Sequence, residues 1–346
     1  MDMKMIRRIG ADRIKKMAWK GADRKMKMRR AGIAVAILSG TAGALSYCGT
    51  RRLVSIALDR EPPVDIRKAG RRRTKLRGVE EKSDFLDALD KYGKRLEEAE
   101  TQTFAITSYD GEKMVAHWYP AKEPKRIIIA MHGWRSTWSK DFGMIADFWH
   151  DNGCSVLYVE QRGQNASGGQ YMGFGLSERY DCIEWIRFVN KKFGPEMPVY
   201  LAGISMGATA VLMASGMKLP YNIRGIISDS AFTSPHEQWR HVVTQNLRMA
   251  YCLRSRAARR ICRKKINMYS DDYSTLDAMM SNRVPVLFIH GTDDSFVPLQ
   301  MTLDNYEACS APKRVFIVPG ADHGMSYFED QKGYEKAVKE FWAEFD

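Results

Sequence analysis

The stretch Val199-Tyr200-Leu201-Ala202-Gly203-Ile204-Ser205-Met206-Gly207, followed by the helix-like run Ala208 to Met217, decides the architecture of this chain. An apolar run enters a Gly-x-Ser-x-Gly turn and a helical pattern leaves it, so a serine sits where a strand bends into a helix. A bend this tight forces Ser205 into strained backbone geometry, and glycines two places to either side let the neighbouring chains pass without a clash. The hydroxyl is thereby held proud of the sheet, at the start of a helix whose free N–H groups favour negative charge. The pattern alone is short enough to arise by chance, so its meaning depends on its company.

A serine hydroxyl is a poor nucleophile at neutral pH. It needs a base to take its proton, and the base needs a carboxylate to hold its tautomer. Downstream, Pro285 to His290 reads as a buried strand that opens into Gly291-Thr292-Asp293-Asp294-Ser295-Phe296-Val297-Pro298. The next strand, Arg314 to Val318, ends in Pro319-Gly320-Ala321-Asp322-His323-Gly324. Loops that follow parallel strands share one edge of the sheet with the serine turn. The chain order of serine, acid and histidine is that of α/β-hydrolases and differs from the other serine hydrolase folds. His132 and His290 also end buried strands, each directly before glycine, and read as turn-shaping residues rather than bases.

Residues from about Thr101 to Asp346 resemble the α/β-hydrolase superfamily, in particular its bacterial serine esterase and acyl-hydrolase branch, with likeness to prolyl-oligopeptidase-like and acyl-CoA thioesterase-like domains. The resemblance rests on His132-Gly133-Trp134, Gln161-Arg162-Gly163, the serine turn, Gly291 to Pro298, and Asp322-His323-Gly324. It implies an α/β-hydrolase fold: a mostly parallel eight-stranded sheet with helices on both faces and a helical lid insertion. It implies Ser205, Asp294 and His323 as the catalytic residues, Asp294 being three places after Gly291 and three before Val297. Asp293 is the runner-up, and also fits an Asx-turn. The oxyanion donors implied are the backbone N–H groups of Met206 and Trp134, the Trp134 ring adding a wall to the acyl pocket. Two positions depart from the family pattern: Glu160-Gln161 stands where an aspartate usually precedes Arg-Gly, and Gln164-Asn165 where His-Gly usually follows.

The remaining pattern fits this fold. Apolar, β-branched runs at Thr103–Ser108, Met114–Tyr119, Arg126–Met131, Ser155–Val159, Val199–Ala202, Gly225–Ser228, Val286–His290 and Val315–Val318 read as strands, the first two as an antiparallel hairpin. Helical patterns occupy Ser139–Asn152, Leu176–Lys192, Ala208–Met217, Leu299–Ala308 and Gln331–Phe345. Alternating strands and helices imply right-handed crossovers and a parallel sheet covered on both faces. The crossover over residues 232–282 is too long for one helix and reads as the lid, which gates access and selects substrates. From Arg240 to Lys265 it carries nine basic residues and no acid, either a face for anionic substrates or a solvated helix face.

Charge divides the chain. Residues 1–80 hold 22 Lys and Arg against 7 Asp and Glu, so the net charge of +13 belongs to this tail and the remainder is nearly neutral. Residues 1–30 form a basic tail, residues 31–50 an uncharged segment, residues 51–100 a basic linker with an amphipathic helix from Ser83 to Glu100, and residues 101–346 the hydrolase domain. Twenty uncharged residues are long enough to cross roughly 30 Å of hydrocarbon as a helix. The lysines and arginines before them favour a cytoplasmic N-terminus and an extracytoplasmic domain on a single anchor, contact with membrane lipid running through this segment. A cleaved signal, peripheral attachment to anionic lipid and a disordered basic arm are the alternatives. No nucleic-acid module or interleaved aromatic pattern accompanies the basic residues, so nucleic acid is not an expected partner.

The six cysteines show no metal-ligand spacing, and no cofactor or metal motif appears. Whether Cys252 and Cys262 pair within the lid is left open by the sequence and depends on the domain facing an oxidising compartment. The activity expected is hydrolysis of a small-molecule carboxylic ester or related acyl compound. A peptidase of the same fold is the alternative, as is a non-catalytic binding scaffold, which would have no need to keep Ser205, Asp294 and His323 together.

Overall fold

The computed structural model describes residues 43–64, 83–252 and 254–346, and the chain divides into two compact units, residues 1–51 and 52–346. In the first unit the described residues 43–51 are helical. The basic tail 1–30, residues 31–42 of the candidate membrane segment and residues 65–82 of the linker lie outside the described residues. Among the described residues no helix is long and apolar enough to cross a membrane.

The second unit begins with helical residues 52–58 (α1), a stretch that sequence alone assigned to a linker. Leu53, Val54, Ala57 and Leu58 recur at helical spacing and pack into an apolar cluster, which is why the stretch is ordered. After α2 (Ser83–Glu97) come eight strands: β1 (Gln102–Thr107), β2 (Lys113–Tyr119), β3 (Arg126–Met131), β4 (Cys154–Glu160), β5 (Val199–Ile204), β6 (Ile223–Asp229), β7 (Val286–Gly291) and β8 (Lys313–Val318). They form one sheet in the order β1-β2-β4-β3-β5-β6-β7-β8. β2 pairs antiparallel with both β1 and β4, and every other pairing is parallel.

The helices α3 (Trp138–Asp151), α4 (Glu178–Phe193) and α5 (Met206–Ser215) follow β3, β4 and β5. The sheet is covered on both faces, and β3 and β4 are buried at every position. Alternation along β3 divides the core: Ile127, Ile129 and Met131 join Trp185 of α4 and Val211 of α5, whereas Ile128 and Ala130 join Phe142 and Trp149 of α3.

Between β6 and β7 lie α6 (Pro235–His241), a π-helical turn Val242–Asn246, α7 (Ser255–Ile266) and α8 (Thr275–Ser281). The first three supply Trp239, Val243 and Ile261 to a cluster that also holds Met206, Phe232 and Val297 beside the serine turn. The helix α8 lies inside the expected insertion 232–282 but belongs to the sheet-covering layer, because Ala278 and Met279 bury into the core beside α5 and α9 (Leu299–Ala308). The short α10 (Ser326–Glu329) and the C-terminal α11 (Gln331–Phe345) complete the fold. Cys252 is exposed and Cys262 is buried on the inner face of α7 with Ala258 and Ile261, and both are free thiols. The disulfide that sequence left open between them is not formed here.

Candidate active site

Ser205 has φ 55° and ψ −115°, the positive-φ geometry expected at the bend between β5 and α5. Its N–H donates to the Asp229 carbonyl (2.8 Å) and its carbonyl accepts from Thr209 N (3.0 Å), so the bend is tied into both β6 and α5. The flanking glycines are needed for space. A Cβ on Gly203 would come within 2.4 Å of Ala208 N, and one on Gly207 within 1.8 Å of the Met131 carbonyl oxygen.

Two loops at the same sheet edge meet this serine. His323 Nε2 lies 2.9 Å from Ser205 Oγ, and His323 Nδ1 lies 2.7 Å from Asp294 Oδ2. Asp294 is fixed by its own loop, Oδ1 accepting from the N–H groups of Phe296 (2.9 Å) and Val297 (2.8 Å). Burial pushes the Asp294 carboxyl up, but the His323 charge and the hydrogen bonds from His290 and His323 outweigh it, holding it well below the usual carboxylate range. Burial alone lowers His323; the Asp294 charge and hydrogen bond overcome this and raise it above its ordinary 6.5. Asp322 Oδ1 accepts from His323 N (2.8 Å) and Ser295 N (3.1 Å), tying the histidine loop to the acid loop.

On the other side of Ser205 lies the His132-Gly133-Trp134 turn after β3. Gly133 N donates to Asp141 Oδ2 (2.6 Å) and Arg135 N to Gln164 Oε1 (2.5 Å). None of the hydrogen bonds among the described residues uses the N–H of Trp134 between them. Met206 is the first residue of α5 and has no preceding turn to bond to. The Trp134 ring stacks on Phe296 with centroids 6.3 Å apart, and Phe296 packs against His323 at 5.1 Å.

The other candidates occupy supporting positions. Asp293 is exposed and accepts the Thr292 hydroxyl (2.8 Å), away from His323. His132 is fully buried, its Nδ1 bonded to the Gly133 carbonyl (2.8 Å) and its Nε2 accepting from Gln161 N (3.1 Å); burial lowers its pKa against the pull of Asp141, so it is a neutral turn-shaping group. His290 Nε2 lies between two acceptors, Asp294 Oδ2 (3.2 Å) and the Val297 carbonyl (3.0 Å), so that nitrogen carries the hydrogen and His290 supports the acid. Arg162 is buried between Asp181 and Asp110, locking the β1–β2 hairpin to α4. On α7, Arg259 pairs with Asp271 and lies over Tyr269, as does Arg263.

Several site residues escaped sequence reasoning. Asp141, in the first turn of α3, holds both Gly133 N and the Ser136 hydroxyl. Gln164 and Asn165, seen in sequence only as departures from the family pattern, brace the turn after β3 through Arg135 N and the Ser136 carbonyl. Asp229 is buried at the end of β6, where burial pushes its carboxyl up to about 6 against the hydrogen bond from Ser230 and the charges of His290 and His323. An apolar strand running into Ser228-Asp229-Ser230 was the one sequence signal for it.

Residues 122–282 match the model of the family described as serine aminopeptidase, S33. The uncharacterised protein YqkD of Bacillus subtilis is 26% identical over 245 residues, covering 71% of this chain and 80% of YqkD. YfhR of Escherichia coli K12, also uncharacterised, is 24% identical over 69% of this chain and 80% of its own. Among solved structures, the Pyrococcus furiosus esterase Pf2001 matches with a TM-score of 0.59 at 19% identity, over 71% of this chain and 91% of its own. The Pyrococcus horikoshii acylaminoacyl peptidase matches at 0.54 and 17%, over 72% of this chain and 42% of its own. At such identities these structures carry the fold.

Proposed function

We propose that this chain is a serine hydrolase of the α/β-hydrolase superfamily that cleaves a carboxylic ester or related acyl compound through an acyl-enzyme on Ser205, a reading supported by the family match over residues 122–282 and by the fold it shares with solved esterases. The observation that carries this reading is the continuous relay from Ser205 Oγ through both nitrogens of His323 to Asp294, at 2.9 and 2.7 Å. His323 Nε2 takes the serine proton as Oγ attacks the carbonyl carbon, and Asp294 holds the Nδ1–H and stabilises the imidazolium. The N–H groups of Met206 and Trp134 receive the oxyanion, a contribution of roughly 3–4 kcal/mol per donor. His323 returns the proton to the leaving group. A water then repeats the attack with His323 again as base, and the carboxylate leaves.

Ser205→Ala in the full chain abolishes hydrolysis of short p-nitrophenyl esters. Retained turnover in that variant defeats the assignment. The match to the serine aminopeptidase family favours a second reading, in which the bond cleaved is an amide. Paired ester and anilide substrates with one acyl group separate the two, ester preference supporting the first. The same proposal attaches the protein to a membrane through residues 31–50, supported by their lack of charge and by the basic residues on both sides. Retention in the membrane pellet after alkaline carbonate extraction is the expected result, and release into the supernatant contradicts an anchor.

A further inference from the structure

The turn that carries the Trp134 N–H is gripped from a distant part of the chain. The Trp134 indole Nε1–H donates to the Ala57 carbonyl (2.9 Å). The next residue, Arg135, spreads its guanidinium over the end of α1, Nη2 donating to the carbonyls of Ile56 (2.8 Å) and Asp59 (2.5 Å) and Nη1 to that of Arg60 (3.2 Å). The Ile56 and Ala57 carbonyls belong to the last turn of α1, which a helix leaves without internal partners and where the dipole also favours a cation, and those of Asp59 and Arg60 follow directly after it. The planar fork of arginine suits several acceptors at once, as a lysine ammonium does not.

Arg135 itself has φ 53°, a left-handed conformation uncommon outside glycine and maintained where surrounding contacts over-determine it. Here the contacts are Gln164 on its N–H and the helix end on its side chain. The helix end is anchored in turn: Val54 and Leu58 are 4% and 0% exposed in the cluster that includes Met206, and Asp59 pairs with Lys265 at the end of α7 (2.6 Å). A chain of contacts thus runs from the end of α1 through Trp134 and Phe296 to His323.

We propose that residues 52–60 are a working part of the active site, and that Arg135 is a positioning residue which uses the end of α1 to hold the Trp134 N–H where the oxyanion forms. This rests on the serine hydrolase reading above. An oxyanion donor acts only within about 2.7–3.1 Å of the developing charge, and losing one costs roughly 10²- to 10³-fold in kcat. Releasing the grip on the turn displaces the donor without touching the nucleophile or its base, so the loss falls on the acyl-transfer step and not on substrate binding.

The test is steady-state hydrolysis of p-nitrophenyl butyrate by full-length wild type, Arg135→Ala, Arg135→Lys and Trp134→Phe. Rates are normalised to active sites titrated with a fluorophosphonate, and affinity for a trifluoromethyl ketone, which mimics the tetrahedral intermediate, is measured in parallel. Arg135→Ala is expected to lose about 10- to 100-fold in kcat with KM changed less than about three-fold, ketone affinity falling in step with kcat/KM. Arg135→Lys recovers part of the loss, and Trp134→Phe, which removes the indole N–H with its pyrrole ring but keeps the backbone N–H and an aromatic ring, loses several-fold. If Arg135→Ala does not fold, Trp134→Phe carries the test by the same readouts. Wild-type kcat in both alanine and phenylalanine variants, or a loss confined to KM, overturns the proposal while leaving the serine hydrolase reading intact. A wild-type chain without Ser205-dependent turnover overturns both.

Discussion

The two sides of the rim around Ser205 are built in different ways. On the acid–histidine side the fixing contacts are short-range or join adjacent loops: Asp294 takes the N–H groups two and three residues onward, and Asp322 links its own loop to Ser295. On the side of the proposed oxyanion donors the turn 133–135 depends on Asp141, on Gln164 from the loop after β4, and on the end of α1 nearly eighty residues upstream. The first side is set by two neighbouring strand ends. The second is assembled from several parts of the domain, which makes its geometry open to change from a distance.

Breaking the first side has the largest expected effect. Asp294→Asn removes the charge that orients and raises His323, and kcat is expected to fall roughly 10⁴-fold. The pH profile gives the sign. His323 acts as a base only when neutral, and its pKa is raised from its ordinary 6.5, so wild-type kcat/KM falls as pH drops through that raised value. With the Asp294 charge gone, burial of His323 remains and lowers its pKa, so residual activity persists to lower pH. An acid limb that stays in place in Asp294→Asn contradicts the pairing.

Breaking the second side costs less. Asp141→Ala frees Gly133 N and the Ser136 hydroxyl together, and an expected loss of about 10- to 100-fold in kcat accompanies a stability loss of about 1–3 kcal/mol by denaturant titration. Full activity in that variant places the brace of the turn elsewhere. The smallest effect sharpens the contrast from within the acid loop: Asp293→Ala removes an exposed carboxylate whose one side-chain hydrogen bond among the described residues is to the neighbouring Thr292 hydroxyl, and kcat/KM is expected to stay within about two-fold of wild type. A loss comparable to that of Asp294→Asn exchanges the roles of the two acids.

What sequence made legible follows the same division. The eight strands and five helical patterns were readable because each buried run reports its own periodicity, and the helices Leu299–Ala308 and Gln331–Phe345 kept the boundaries expected of them. Ser205, Asp294 and His323 stood out because each sits in a short motif at a strand end, and the structure brings them within hydrogen-bond reach. The brace of the oxyanion turn was invisible. Asp141 looks like any acid in a first helical turn, Gln164 like a loop amide, and Arg135 like a surface cation, since a bond to a distant carbonyl leaves no local trace. Residues 51–58 were read as linker because flanking arginines masked a stripe whose burial depends on the lid. The helix Thr275–Ser281 was read as lid because length alone does not tell whether a helix covers the serine or the sheet.

The most direct measurement is peptide mapping of the full-length protein after reaction with a fluorophosphonate. A single adduct on Ser205, formed by wild type and lost in His323→Ala, is the expected result, because only an alcohol relieved of its proton by that imidazole attacks phosphorus at a useful rate. An adduct on another residue, or undiminished labelling of Ser205 without His323, would contradict the central claim.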